Sequence, residues 1–180
     1  MTRRTLFAAA LLLAAIPSLA QTASHKKAAP KPEPTEPELA EYIRGALLSL
    51  SPSDGINDNA EVTYNADTKV LTVTGPQGRC ETSIPALNPN TPVWDVYDPS
   101  DTDRTREKLL RLTLVSVSGK TARTCYDPQG RVNGMMPGNR ARFLFSESHA
   151  DQIPAFQDKM AKAFKKLIAQ TGGAPEKDLF

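Results

Sequence analysis

Four carboxylates, Asp95, Asp98, Asp101 and Asp103, fall close together and form the strongest group of side chains here that could do chemistry. Clustered carboxylate oxygens suit a hard cation such as calcium, and a pair of them could divide acid and base roles in hydrolysis. Yet Asp98-Pro99-Ser100-Asp101 is also ordinary turn chemistry, in which Asp caps backbone N–H groups and Pro fixes φ. Solvation of a loop is therefore the expected role. A metal-binding module or metal-dependent hydrolase built on these four aspartates is the alternative. Beside them stand Trp94, the one tryptophan, and Tyr97. Such side chains have an apolar body and a polar tip, which suits either a recognition patch or a wedge in a small core. These two are the candidate partner contacts.

Other chemistries find fewer residues. Asp54, Asn57, Asp58 and Asn59 are rich in oxygen, but their spacing is not that of a calcium-binding helix–loop–helix and no Glu closes the set. A solvated turn is expected there. The only histidines are His25 and His149, too few for a Ser–His triad in the fold or a multi-histidine metal site. The sequence has no G-x-S-x-G, no glycine-rich phosphate loop and no H-E-x-x-H. No catalytic residue, cofactor site or metal site is therefore assigned, and the expectation is a protein without catalytic activity.

The cysteines, Cys80 and Cys125, lie 45 positions apart on separate predicted strands. In an exported chain an even count this small points to one disulfide, with two buried thiols as the other reading. A bridge closing that loop contributes about 3 to 4 kcal/mol, chiefly by restricting the unfolded chain. A redox pair would instead sit close in sequence, as in C-x-x-C.

Export is read from residues 1–20. Arg3 and Arg4 precede an apolar run from Leu6 to Ile16, and Pro17-Ser18-Leu19-Ala20 places small residues where signal peptidase cuts. The twin arginines resemble a twin-arginine signal, but the leucine-rich core favours the general secretory route. The run is too short to span a bilayer comfortably, so no membrane span is expected. Residues 21–34, rich in Ala, Lys and Pro, read as a disordered spacer. Of 22 basic residues two belong to the signal, leaving 20 against 20 acidic ones. A neutral domain with few aromatics gives no support for nucleic acid as a partner.

The single domain expected at residues 35–173 opens with Thr35-Glu36-Pro37-Glu38, a capping box with proline in the first turn, followed by Leu39, Tyr42, Ile43, Ala46, Leu47 and Leu50 at helical spacing. Val62–Tyr64 and Val70–Val73 flank a four-residue turn and predict a hairpin, with a third strand over residues 79–84. Four prolines punctuate residues 85–103, with an edge strand expected at Val93–Tyr97. Further strands are predicted in the second half of residues 104–117, at residues 121–126 and at 142–145, with a tight turn at Asn133-Gly134. The closing segment places Ile153, Phe156, Met160, Ala163, Phe164, Leu167 and Ile168 on one face of a second helix. Pro154 suits its first turn, Ser148 or Asp151 its cap, and Gly172-Gly173 its end. Residues 174–180 read as a flexible tail. The fold class is α+β: a bent antiparallel sheet of six or seven strands, a leading helix, and a closing amphipathic helix as lid.

This plan resembles the pleckstrin-homology-like architecture, in which a bent sheet is closed by a C-terminal amphipathic helix. More narrowly, Phe143-Leu144-Phe145-Ser146-Glu147-Ser148 with the Ala–Phe repeats and glycine stop resembles the ending of uncharacterised exported bacterial domains, and Ala86-Leu87-Asn88-Pro89 is similar too. The resemblance implies a binding or docking module. Phosphoinositide binding does not carry over, because the first hairpin turn, Asn65-Ala66-Asp67-Thr68, has only Lys69 beside it. The expected protein is thus an exported, periplasmic or extracellular binding or structural module whose partner is a protein or peptide of the cell envelope.

Overall fold

The computed structural model of the chain describes residues 32–53, 57–98, 108–133, 138–147 and 153–174. The signal segment, most of the spacer, Asp54, Asp101, Asp103, Gly134, Ser148, His149, Asp151 and residues 175–180 lie outside the described residues.

Helix α1 (Glu36–Ser49) starts where the sequence predicts. The Glu38 carboxylate reaches back and accepts the Thr35 N–H at 2.7 Å and the Thr35 hydroxyl at 2.9 Å. That satisfies a backbone donor left orphaned by the first turn. Leu39, Ala40, Ile43 and Leu47 form its buried face. At the other end, Asn59 donates its amide to the Leu47 carbonyl at 2.7 Å, and its own N–H goes to Ser51 Oγ at 2.6 Å. The loop expected to be merely solvated therefore closes the C-terminus of α1, because the last helical carbonyls need donors.

Strands β1 (Glu61–Asn65) and β2 (Val70–Gly75) make the predicted hairpin, with Val62 opposite Val73 and Tyr64 opposite Leu71. Asn65 Oδ1 accepts the N–H groups of Asp67 and Thr68 and so builds the turn. Strand β3 (Gly78–Ser83) pairs with β2, and Gly78 is required there: its φ is +111°, and a Cβ would strike the Tyr126 carbonyl. Ile84, expected to end this strand, instead opens a 3-10 turn, Ile84–Ala86, where Pro85 has no N–H for a ladder.

From that turn the chain leaves the first sheet. Strands β4 (Val93–Tyr97), β5 (Leu109–Val115) and β7 (Arg140–Ser146) form a three-stranded antiparallel sheet in the order β4-β5-β7. Strand β6 (Arg123–Tyr126) returns to pair with β3, giving a four-stranded antiparallel sheet, β1-β2-β3-β6. The strands are thus divided between two sheets, which form no closed barrel. Bridging bonds tie the sheets at their junctions. Leu87 pairs with Ser116, Val117 N–H donates to the Ala86 carbonyl at 2.9 Å, and Ala122 N–H donates to the Gly138 carbonyl at 2.7 Å. Asn133 N–H donates to the Cys125 carbonyl, so Asn133 closes against β6 after the Asp127–Gly130 turn.

Helix α2 (Ile153–Gln170) buries Met160, Ala163, Phe164, Leu167 and Ile168, the stripe read from the sequence. It packs against α1 and the 3-10 turn, and Phe164 stacks on Phe143 of β7 with centroids 5.1 Å apart. Large apolar side chains buried in this way stabilise a fold by about 1.5 to 3 kcal/mol each. The helix stops at Gly172, φ +89°, after which Gly173 N–H donates to the Ile168 carbonyl at 2.8 Å. Leu39, Ile43, Leu71, Leu87, Leu112, Leu114, Phe143 and Phe145 belong to the same buried cluster.

Two cross-links fasten the periphery. Cys80 and Cys125 stand directly opposite in register on β3 and β6 and form a disulfide. The Glu36 carboxylate accepts the Tyr64 hydroxyl at 2.8 Å and Lys69 Nζ at 2.7 and 2.9 Å, tying the first turn of α1 to the β1–β2 hairpin. No described helix is long and apolar enough to cross a membrane.

Candidate functional site

Strand β4 carries three of the residues that the sequence singles out, Trp94, Asp95 and Tyr97. It lies at the end of its sheet, and among the described residues it pairs with β5 alone. An unpaired strand edge presents a row of N–H and C=O groups that another strand can complete. Period-two alternation then decides which side chains accompany that edge.

Trp94 and Val96 share one face. Trp94 is half-buried and turned inward, with ring centroids 5.6 Å from Phe145 and 5.8 Å from Phe156, while Phe145 and Phe156 meet edge to face at 5.2 Å. It therefore wedges β4 against β7 and the first turn of α2. Its Nε1–H is buried without a hydrogen-bond partner. Val96, two positions along, is 52% exposed.

The opposite face carries Val93, Asp95 and Tyr97. Val93 is 59% exposed. Asp95 stands opposite Arg111 of β5, and the two make a bidentate pair, Nε to Oδ1 at 2.9 Å and Nη2 to Oδ2 at 2.5 Å. The hydrogen bonds from Arg111 hold the Asp95 carboxyl below the usual carboxylate range against the opposing effect of burial, with the charges of Arg111 and Arg142 adding to them. Arg111 also lies over the Tyr97 ring, 5.4 Å from its centroid. Tyr97 is therefore half-buried under a guanidinium, on the side of the sheet away from Trp94.

Of the four aspartates, Asp95 is held by Arg111 and Asp98 forms an ion pair with Lys108 at 3.2 Å; Asp101 and Asp103 lie outside the described residues. A cation at Asp95 would have to displace a bidentate guanidinium. Among the described residues no group of three or more His, Cys, Asp or Glu side chains comes together to hold a metal ion. An open cleft between the β5–β6 turn and Gly138, lined by Ser118, Lys120, Thr121 and Asn139 among others, carries one charged side chain.

Three contributors to this surface are not singled out by sequence reasoning: Val93, Val96 and Arg111. Their signal lies in alternation. In Leu109-Leu110-Arg111-Leu112-Thr113-Leu114 the polar positions mark the face away from the core, and Arg111 falls on it beside the acidic strand. No protein-family model, curated protein or solved structure matches this chain.

Proposed function

We propose that this protein is a non-catalytic binding or structural module of the bacterial cell envelope or exterior, and that it docks an extended segment of a partner protein by strand addition at β4. The observation that carries this reading is the edge of β4, paired on one side only among the described residues, with Val93 and Val96 exposed along it. In strand addition, main-chain hydrogen bonds give affinity and alternate side chains give selectivity. The Trp94 wedge and the Asp95–Arg111 pair stiffen the strand from its two faces, which lowers the ordering cost of binding. Export is supported by the signal-like residues 1–20 and is consistent with the Cys80–Cys125 disulfide.

In this reading the architecture is an open relative of the pleckstrin-homology-like plan. The support is α2 lying as a lid at the C-terminus, together with the bonds that tie the two sheets at their junctions. Capture from envelope extract tests the docking claim. The mature protein is expected to retain a discrete partner that a Val93→Lys, Val96→Lys variant loses, because a charged edge strand disfavours pairing. Equal capture by both proteins, or capture of background alone, overturns the reading.

A further inference from the structure

The turn between β5 and β6 and the start of β7 gather cations that have no carboxylate beside them. Most described Lys and Arg side chains do have one, as Lys69 has Glu36 and Arg131 has Asp127. Among the described residues Lys120, Arg140 and Arg142 make no ion pair, and all three are exposed. Arg140 and Arg142 are two positions apart on β7 and share its outer face, while Ala141 and Phe143 are buried on the other. Arg123, which turns to the Phe143 ring, belongs to the inner side and takes no part here.

The same corner holds an open cleft of about 600 Å³. Lys120 lines it together with Ser118, Thr121 and Asn139; Val115 is the one aliphatic residue of the described lining, and none is acidic. Arg140 stands at the rim, since it follows Asn139 in the chain and lies opposite Val115 in register. Opposed residues of an antiparallel pair project to the same face. The walls are held by backbone bonds: Ser116 N–H donates to the Asn139 carbonyl at 2.9 Å and Ala122 N–H to the Gly138 carbonyl at 2.7 Å. Gly138 permits this approach, because a Cβ there would stand 2.9 Å from Thr121 Cγ2. A cleft formed in advance lowers the ordering cost of binding.

Each part of the lining has a chemical counterpart. The volume suits a small molecule rather than a lone ion. Hydroxyl and amide side chains both donate and accept, which matches the hydroxyls of a ligand, whereas an apolar ligand would find little surface to bury. An ammonium and a guanidinium without carboxylates match an oxyanion. We propose that this cleft binds a small polyhydroxylated molecule carrying one oxyanion group, a sugar acid or a sugar phosphate. Lys120 and Arg140 take the oxyanion, and Ser118, Thr121 and Asn139 take hydroxyls. The site does not depend on the docking reading at β4.

Amide NMR titration of the protein tests it with glucuronate, glucose 6-phosphate, glucose, acetate and inorganic phosphate, all at equal ionic strength. Saturable shifts are expected at the amides of Ser118–Thr121 and Asn139 with glucuronate, glucose 6-phosphate or both, and the responding one assigns the acid group. Glucose, acetate and inorganic phosphate should each bind about tenfold or more weakly, since each lacks one of the two sets of contacts. Lys120→Gln and Arg140→Gln, at exposed side chains, should each weaken the acidic sugar by about tenfold while leaving Tm without ligand nearly unchanged. No saturable shift with either acidic sugar, shifts centred away from the cleft, equal binding of glucose or of the simple anions, or undiminished binding in Arg140→Gln would each overturn the proposal.

Discussion

Glu36 shows how one side chain joins two elements. Its carboxylate accepts bonds from Tyr64 and Lys69, 28 and 33 positions away. The Lys69 hydrogen bond is the main cause that holds Glu36 below the usual carboxylate range, and the bonds from Arg111 do the same for Asp95. Both groups are depressed in the fold, so the stability they give is complete above the ordinary unfolded carboxylate value of about 4.3 and is lost as pH falls through their lowered folded values. Thermal midpoints should accordingly stay level from neutral pH to about 5 and fall below about 4.5. Glu36→Gln should flatten part of that fall.

Tyr64→Phe, which removes one partner of the same carboxylate, should cost about 1 kcal/mol in urea unfolding. Trp94→Ala should cost about 3 kcal/mol, since the ring fills the space between Phe145 and Phe156. Sequence composition marks Trp94 as notable, but its inward direction follows from the register of β4 on β5, which is a long-range property. Arg123 is less legible still: nothing in Thr121–Tyr126 marks an arginine that reaches β7 and lies over the Phe143 ring, 5.1 Å from its centroid.

Among the elements, α2 is the most legible because its stripe repeats at a single period and its glycine stop is local chemistry. Phe164→Ala should destabilise the protein by about 3 to 4 kcal/mol, given its burial and its stacking on Phe143. Lys162→Ala, on the exposed side of the same helix, should stay within about 0.5 kcal/mol. A comparable loss at both positions would mean that the helix does not cover the core. The first hairpin and α1 were legible for the same local reasons, since a turn and a capping sequence announce themselves within a few residues. The passage from Ser83 to Pro92 was not. Its prolines signal that a ladder must stop, yet they say nothing of the chain resuming in a second sheet, or of β6 returning to pair with β3.

At the scale of the molecule, the α+β class and the lid helix follow from pattern, whereas the division into two sheets rests on contacts distant in sequence. The disulfide acts at this scale too, since it closes the loop that contains β4 and β5 and fixes β6 to β3. Replacing both Cys80 and Cys125 by Ala should remove about 3 to 4 kcal/mol, read as a lower urea midpoint. The remaining feature at this scale is the β4 edge, which among the described residues pairs with β5 alone.

Amide hydrogen exchange along β4, measured first on the isolated protein and then with the captured partner, tests that feature most directly. The account predicts that the β4 amides pointing away from β5 exchange fast in isolation, while those of β5 are protected, and that the outward β4 amides slow when the partner binds. Uniform protection of β4 in isolation, or outward amides that stay fast in the complex, would contradict it.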